Sequence, residues 1–208
     1  MRKLMIGAGR LSIAAAGMVG LFAGIQPAAA QQSAPPQGWF KVCSKQGDND
    51  ICNVQNIIVA QTGQMVTAVS LLEIKGQVNR KVFQVSVPTG RLVPPGIGLQ
   101  IDGQKPQKID YAICLPDRCV AEVQLTDAMV ASFKKGQELT LTSVNFQQQP
   151  SPIKVSLTGF TGAYDGEPMQ QSDLQDRQKK LEEFVNKNNE DFAKKLREEQ
   201  EKAKTAGN

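Results

Sequence analysis

The sequence predicts an all-β protein, an antiparallel β-sandwich with one short helix, extended at its C-terminus by a long charged helix. Three observations carry that prediction. From Gly38 to about Tyr164, β-branched and aromatic residues come in short runs broken by turn residues, the spacing of a sandwich rather than of alternating strands and helices. Four cysteines stand in two tight pairs, Cys43 with Cys52 and Cys114 with Cys119, and the chain has no histidine. From about Ser172 to Lys204 glycine and proline vanish, and Lys, Glu, Gln and Asn dominate.

The first thirty residues read as a cleavable export signal. Arg2, Lys3 and Arg10 precede the apolar run Leu11 to Ile25, and Ala28 and Ala30 supply the small residues a signal peptidase needs. That run is shorter than the ~20 residues that span a bilayer, and no later stretch is apolar enough to do so. Residues 31–37 read as a flexible, Pro-containing lead-in, 38–166 as the sandwich and 167–208 as the helical extension. Three of the 24 Lys and Arg lie in the signal, which leaves 21 against 20 Asp and Glu. A near-neutral mature chain lacks the basic stripe that nucleic acid requires.

Strands are expected at Trp39 to Cys43, Ile51 to Ala60, Met65 to Ile74 and Lys81 to Val87. Asp102-Gly103 marks a tight hairpin after Leu99 to Ile101. Thr126 can cap a helix over Asp127 to Lys135, with Asp127 at its positive end, Lys134 and Lys135 at its negative end, and Gly136 to stop it. Strands then follow at Glu138 to Phe146 and Ile153 to Phe160, joined by the polar loop 147–152. In the tail, Ser172 or Asp173 can cap a helix whose Leu174, Leu181, Val185, Phe192 and Leu196 form a narrow apolar stripe interrupted at Asn188. Its nine acidic and nine basic residues cancel, so it is no polybasic membrane anchor. The stripe leaves self-association, partner binding, packing on the sandwich and a solvated tail all open.

Four cysteines permit three pairings. Leu115 to Arg118 form a Pro-containing turn, and Gly47 to Asp50 are turn-prone, so the spacing favours Cys43 with Cys52 and Cys114 with Cys119. Each bond closes a short loop worth roughly 2–3 kcal/mol. Neither spacing is the C-x-x-C of redox enzymes, and export disfavours four reduced zinc-binding thiolates, so no metal or cofactor is expected. Without histidine a Ser-His-Asp or Cys-His nucleophile cannot form. A carboxylate- or serine-based hydrolase is the remaining catalytic reading, and no spacing singles out its residues; no catalytic residue is assigned.

The ordered motifs carry a family resemblance. Trp39 with Cys43 and Cys52, the run LVPPGIGLQIDGQKPQKIDYAICLPDRCVAE (92–122), LTDAMVASFKKGQELTLT (125–142) and VSLTGFTGAYD (155–165) resemble the invasion-associated locus B family of α-proteobacterial exported proteins. The resemblance covers about residues 38–166. It implies an immunoglobulin-like sandwich and a periplasmic, outer-membrane-associated or secreted location. The family name reports a role in entering host cells, not a reaction. Arg118 stands where the family commonly has glycine, and the helix after Asp165 extends beyond the family core. The expected function is a non-enzymatic envelope module that binds an envelope or host protein. A surface adhesin acting directly on host cells is the alternative.

Overall fold

The computed structural model describes residues 38–206, so the signal with Ala28 and Ala30 and the lead-in lie outside the described residues. Ten strands and three helices follow in order: β1 (Phe40–Gln46), β2 (Asn49–Val59), β3 (Met65–Lys75), β4 (Arg80–Pro88), β5 (Ile97–Ile101), β6 (Gln107–Ile109), β7 (Tyr111–Cys114), β8 (Arg118–Gln124), α1 (Asp127–Lys135), β9 (Glu138–Val144), β10 (Pro150–Ser156), α2 (Phe160–Asp165) and α3 (Gln171–Ala206). They build an antiparallel sandwich of a six-stranded sheet, β1-β2-β3-β4-β8-β7, facing a four-stranded sheet, β10-β9-β5-β6.

Alternation sets which side chains meet between the sheets. Val69, Leu71, Phe83, Val85, Val87, Cys119 and Ala121 of the larger sheet face Ile97, Leu99, Ile109, Leu139, Leu141 and Val155 of the smaller, and all are buried. An aromatic chain closes one end of this core: Trp39 against Phe160, Phe160 against Phe133, and Phe133 against Phe83, with ring centroids 4.9, 5.8 and 5.2 Å apart. Phe133 comes from α1, which Thr126 caps by accepting from the Met129 N–H at 3.2 Å.

Turn chemistry follows the residues. Asp102 and Gly103 both have positive φ, 46° and 75°, and the Gln104 N–H donates to the Ile101 carbonyl at 2.9 Å. The Asp102 carboxylate accepts from the Gln137 and Glu138 N–H groups, which ties this hairpin to the end of α1. The ladder resumes at Leu99 opposite Gln107, one residue out of step with the turn. Gly136 ends α1 with an ordinary φ of −77°. Close packing is what requires glycine there: a Cβ would lie 2.9 Å from Ile101 and 3.0 Å from Leu157.

Two local readings change. The expected loop 147–152 is shorter, because β10 begins at Pro150 and carries Pro152 as well. Proline is tolerated there because β10 is an edge strand with one unpaired side. The strand expected to reach Phe160 ends at Ser156, and Phe160–Asp165 instead form α2 after Gly159 at φ 82°. The tail helix starts two or three residues early, at Gln171, which puts Ser172 and Asp173 inside its first turn rather than at its cap.

Candidate binding surface

Both disulfides join residues directly opposite in register: Cys43 to Cys52 across β1 and β2, and Cys114 to Cys119 across β7 and β8. They mark opposite ends of the larger sheet. The ends differ in chemistry.

α2 sits at one end, beside β1 and α1. A recess of about 400 Å³ opens there, lined by Lys41, Cys52, Glu73, Lys81, Tyr164 and Asp165 among others. Glu73 is the centre: the Tyr164 hydroxyl donates to its carboxylate, and Lys75 and Lys81 stand 3.5 and 3.7 Å away. Burial pushes the Glu73 carboxyl up, but Tyr164, Lys81 and Lys75 outweigh it and hold the group below its ordinary value. Burial and the same carboxylate push the Tyr164 phenol up. Lys81 also reaches Asp127 at 3.2 Å, a hydrogen bond that leads the effects holding its ammonium above its ordinary value. Asp165 pairs with Lys134 at 2.7 Å, and Asp50 with Lys45 at 3.6 Å. Each carboxylate of the recess thus has a cationic partner. Among the described residues no group of three His, Cys, Asp or Glu could hold a metal ion.

The opposite end is made of turns. β4 ends at Pro88 beside Arg118, β7 ends at Cys114, and β9 turns into β10 after Val144, so residues 89–96, 115–117 and 145–149 gather there. Four large apolar side chains at this end face solvent: Val93, Ile113, Leu115 and Phe146, the last 70% exposed. The Cys114–Cys119 bond and the Leu115 N–H donating to the Arg118 carbonyl at 2.7 Å fix the turn that carries Leu115.

α3 lies on the outer face of the larger sheet. The Arg177 guanidinium sits 4.2 Å above the Phe40 ring and donates to the Gly38 carbonyl, and burial lowers its pKa from the ordinary value. Leu174 and Leu181 face an apolar groove with Phe40, Ile57 and Val59, and Val185 touches Gly63 in the β2–β3 turn. The stripe therefore divides: Leu174, Leu181 and Val185 are half-buried, whereas Phe192 and Leu196 are exposed. Phe184, which the spacing did not single out, is half-buried with them. Beyond Val185 the helix continues 21 residues to Ala206, ~30 Å at 1.5 Å per residue. No helix among the described residues is long and apolar enough to cross a membrane.

Two antiparallel sheets, stapled across neighbouring strands at both ends and presenting apolar loop tips, define a disulfide-clasped β-sandwich with an appended helix. The chain belongs to the Invasion associated locus B (IalB) protein family, whose model matches residues 39–168. It is 33% identical over 132 residues to Invasion protein B homologs of Brucella abortus strain 2308 and of Brucella abortus biovar 1 strain 9-941, covering 62% of this chain and 75% of each relative. The crystal structure of invasion associated protein B from Bartonella henselae has the same fold, with a TM-score of 0.54 at 24% identity, covering 61% of this chain and 88% of that one. Membership places the chain among invasion-associated proteins, a family named for a process rather than a reaction. α3 lies beyond the matched residues.

Proposed function

We propose that this protein is an exported, non-enzymatic module of the cell envelope, periplasmic, outer-membrane-associated or secreted, that binds an envelope or host protein through the loop end of its sandwich. The observation that carries this reading is the set of exposed apolar side chains at one end of a rigid scaffold, Val93, Leu115 and Phe146 on turns and Ile113 near the end of β7. Such residues leave apolar surface in water, and loops on a rigid frame are the usual carriers of recognition. Family membership supports a role in host interaction or envelope integrity, and the paired carboxylates of the recess support a non-enzymatic one.

Site-specific photocrosslinking in intact cells tests it. A benzophenone side chain at position 146 is expected to capture a discrete partner, and one at Val78, exposed at the opposite end, is not. Equal capture at both positions, or none at 146, removes the loop end as the binding surface. Labelling the captured complex from outside the cell separates a periplasmic module from an adhesin on the surface.

A further inference from the structure

The interior beneath the loop end is polar. The three buried polar residues of the described chain, Asn56, Thr67 and Ser143, all sit within a few residues of that end of their strands. Thr67 donates to the Ser86 carbonyl at 2.9 Å, but Asn56 Oδ1 and Ser143 Oγ have no protein partner, and neither does the buried Tyr111 hydroxyl. Arg91 completes this group. Its backbone is held beside β9 by a bridge to Asn145 and by the Leu92 N–H donating to the Val144 carbonyl at 2.8 Å. Its guanidinium donates to Ser151 Oγ at 3.1 Å, and Ser151 lies directly across from Ser143. Arg91 Nε is buried without a partner. No carboxylate among the described residues lies within ion-pair distance of this side chain, in contrast to Lys81 and Lys134 at the other end.

A half-buried guanidinium with no counter-charge is open to an anionic partner. The two outer nitrogens of its planar fork, one of them held by Ser151, match a carboxylate, which accepts two parallel hydrogen bonds from arginine. The carrier of that carboxylate is constrained too. Val85, Val87 and Ile97 are fully buried and close the core, so the rest of a ligand must lie outside, against Val93 and Phe146. An acyl chain needs a long apolar tunnel; a peptide needs only a seat for its terminus and an apolar ledge for its last side chains. We propose that Arg91, positioned by Ser151, is the seat for the C-terminal carboxylate of a partner protein whose last residues are apolar. This inference rests on the loop end being the binding surface and names what that surface recognises.

The test uses the folded protein without its signal and three probes: N-acetyl-leucyl-phenylalanine as the free acid, the same dipeptide as its amide, and dodecanoate. Titration followed by nitrogen–proton correlation spectra is expected to move the Arg91 Nε–H, Val93 and Phe146 signals with the acid. The acid is expected to bind about tenfold tighter than the amide, the scale of one charge-assisted pair. Arg91→Leu is expected to abolish that difference and Arg91→Lys, which keeps the charge but not the fork, to reduce it about threefold or more. Equal binding of acid and amide, binding of neither, or tighter binding of dodecanoate overturns the carboxylate seat. Capture of a partner at position 146 that is unchanged by Arg91→Leu overturns the seat and leaves the binding surface standing.

Discussion

At the α2 end of the sandwich, charges brought out of water meet partners, and an aromatic chain seals the core beneath them. At the loop end, Arg91 and Ser143 keep unmet hydrogen-bonding capacity, and four apolar side chains stand in solvent. The same sheets run through both ends, so composition of the strands does not cause the difference. The covering elements do: α1 and α2 bring Phe133, Phe160, Tyr164, Lys134 and Asp165 over one end, whereas turns lie over the other, with α3 reaching only the β2–β3 turn. One end is organised for stability and the other leaves contacts for something else to complete.

The largest expected effect breaks that comparison directly. Phe133→Ala empties a fully buried site touching Phe83 and Phe160 and is expected to cost about 3–5 kcal/mol in urea unfolding, leaving partner capture intact in the fraction that folds. Phe146→Ala is expected to cost less than about 0.5 kcal/mol and, with the benzophenone moved to position 115, to remove partner capture. If the two variants lose similar stability, the division between a structural end and a recognition end fails.

A smaller effect sharpens the chemistry of the sealed end. Glu73 in the folded protein has a pKa below its ordinary 4.5. The stability this gives is fully present above that value and is lost as pH falls through the folded pKa. Glu73→Gln is therefore expected to cost about 1–3 kcal/mol near pH 7, the scale of hydrogen bonds to a charged group. The gap from wild type should close as unfolding is followed down below pH 4.5. A gap that stays constant with pH would show that Glu73 contributes through packing rather than charge.

The sandwich was legible in the sequence because its signals are local. Alternation placed β2 to β4 within two residues of where they lie and β1 within three, and Thr126, Asp102 and Gly103 acted in the turns and cap their chemistry suits. α2 was not legible, because six residues with Phe160 and Tyr164 four apart read as the end of a strand until Gly159 turns the chain. The loop-end surface was missed for a related reason. Val93, Leu115 and Phe146 lie in three separate turns and Ile113 near the end of β7, and only the register of the strands brings them to one end. Arg91 looked like any surface arginine; its lack of a counter-charge is a property of the folded neighbourhood. The tail stripe was visible as a periodicity, but a period cannot say that Gly63 leaves room for Val185 while nothing covers Phe192.

That divided stripe gives the smallest expected effects and a last way to test the contrast. In its first half Leu181 faces Phe40, Ile57 and Val59, so Leu181→Ala is expected to cost roughly 1–2 kcal/mol, in proportion to the half-buried area removed. The second half passes the β2–β3 turn, itself at the loop end, and carries Phe192 and Leu196 beyond it. Replacing both by Ser touches no core residue and is expected to change unfolding by less than about 0.5 kcal/mol. If this half pairs with a second copy, the double variant lowers the molar mass seen by light scattering over a dilution series. If it instead extends the loop-end surface, mass is unchanged and crosslinking from position 146 weakens. A double variant that unfolds at lower urea by as much as Leu181→Ala would mean that the second half is docked as firmly as the first, and the helix would then belong wholly to the structural side of the molecule.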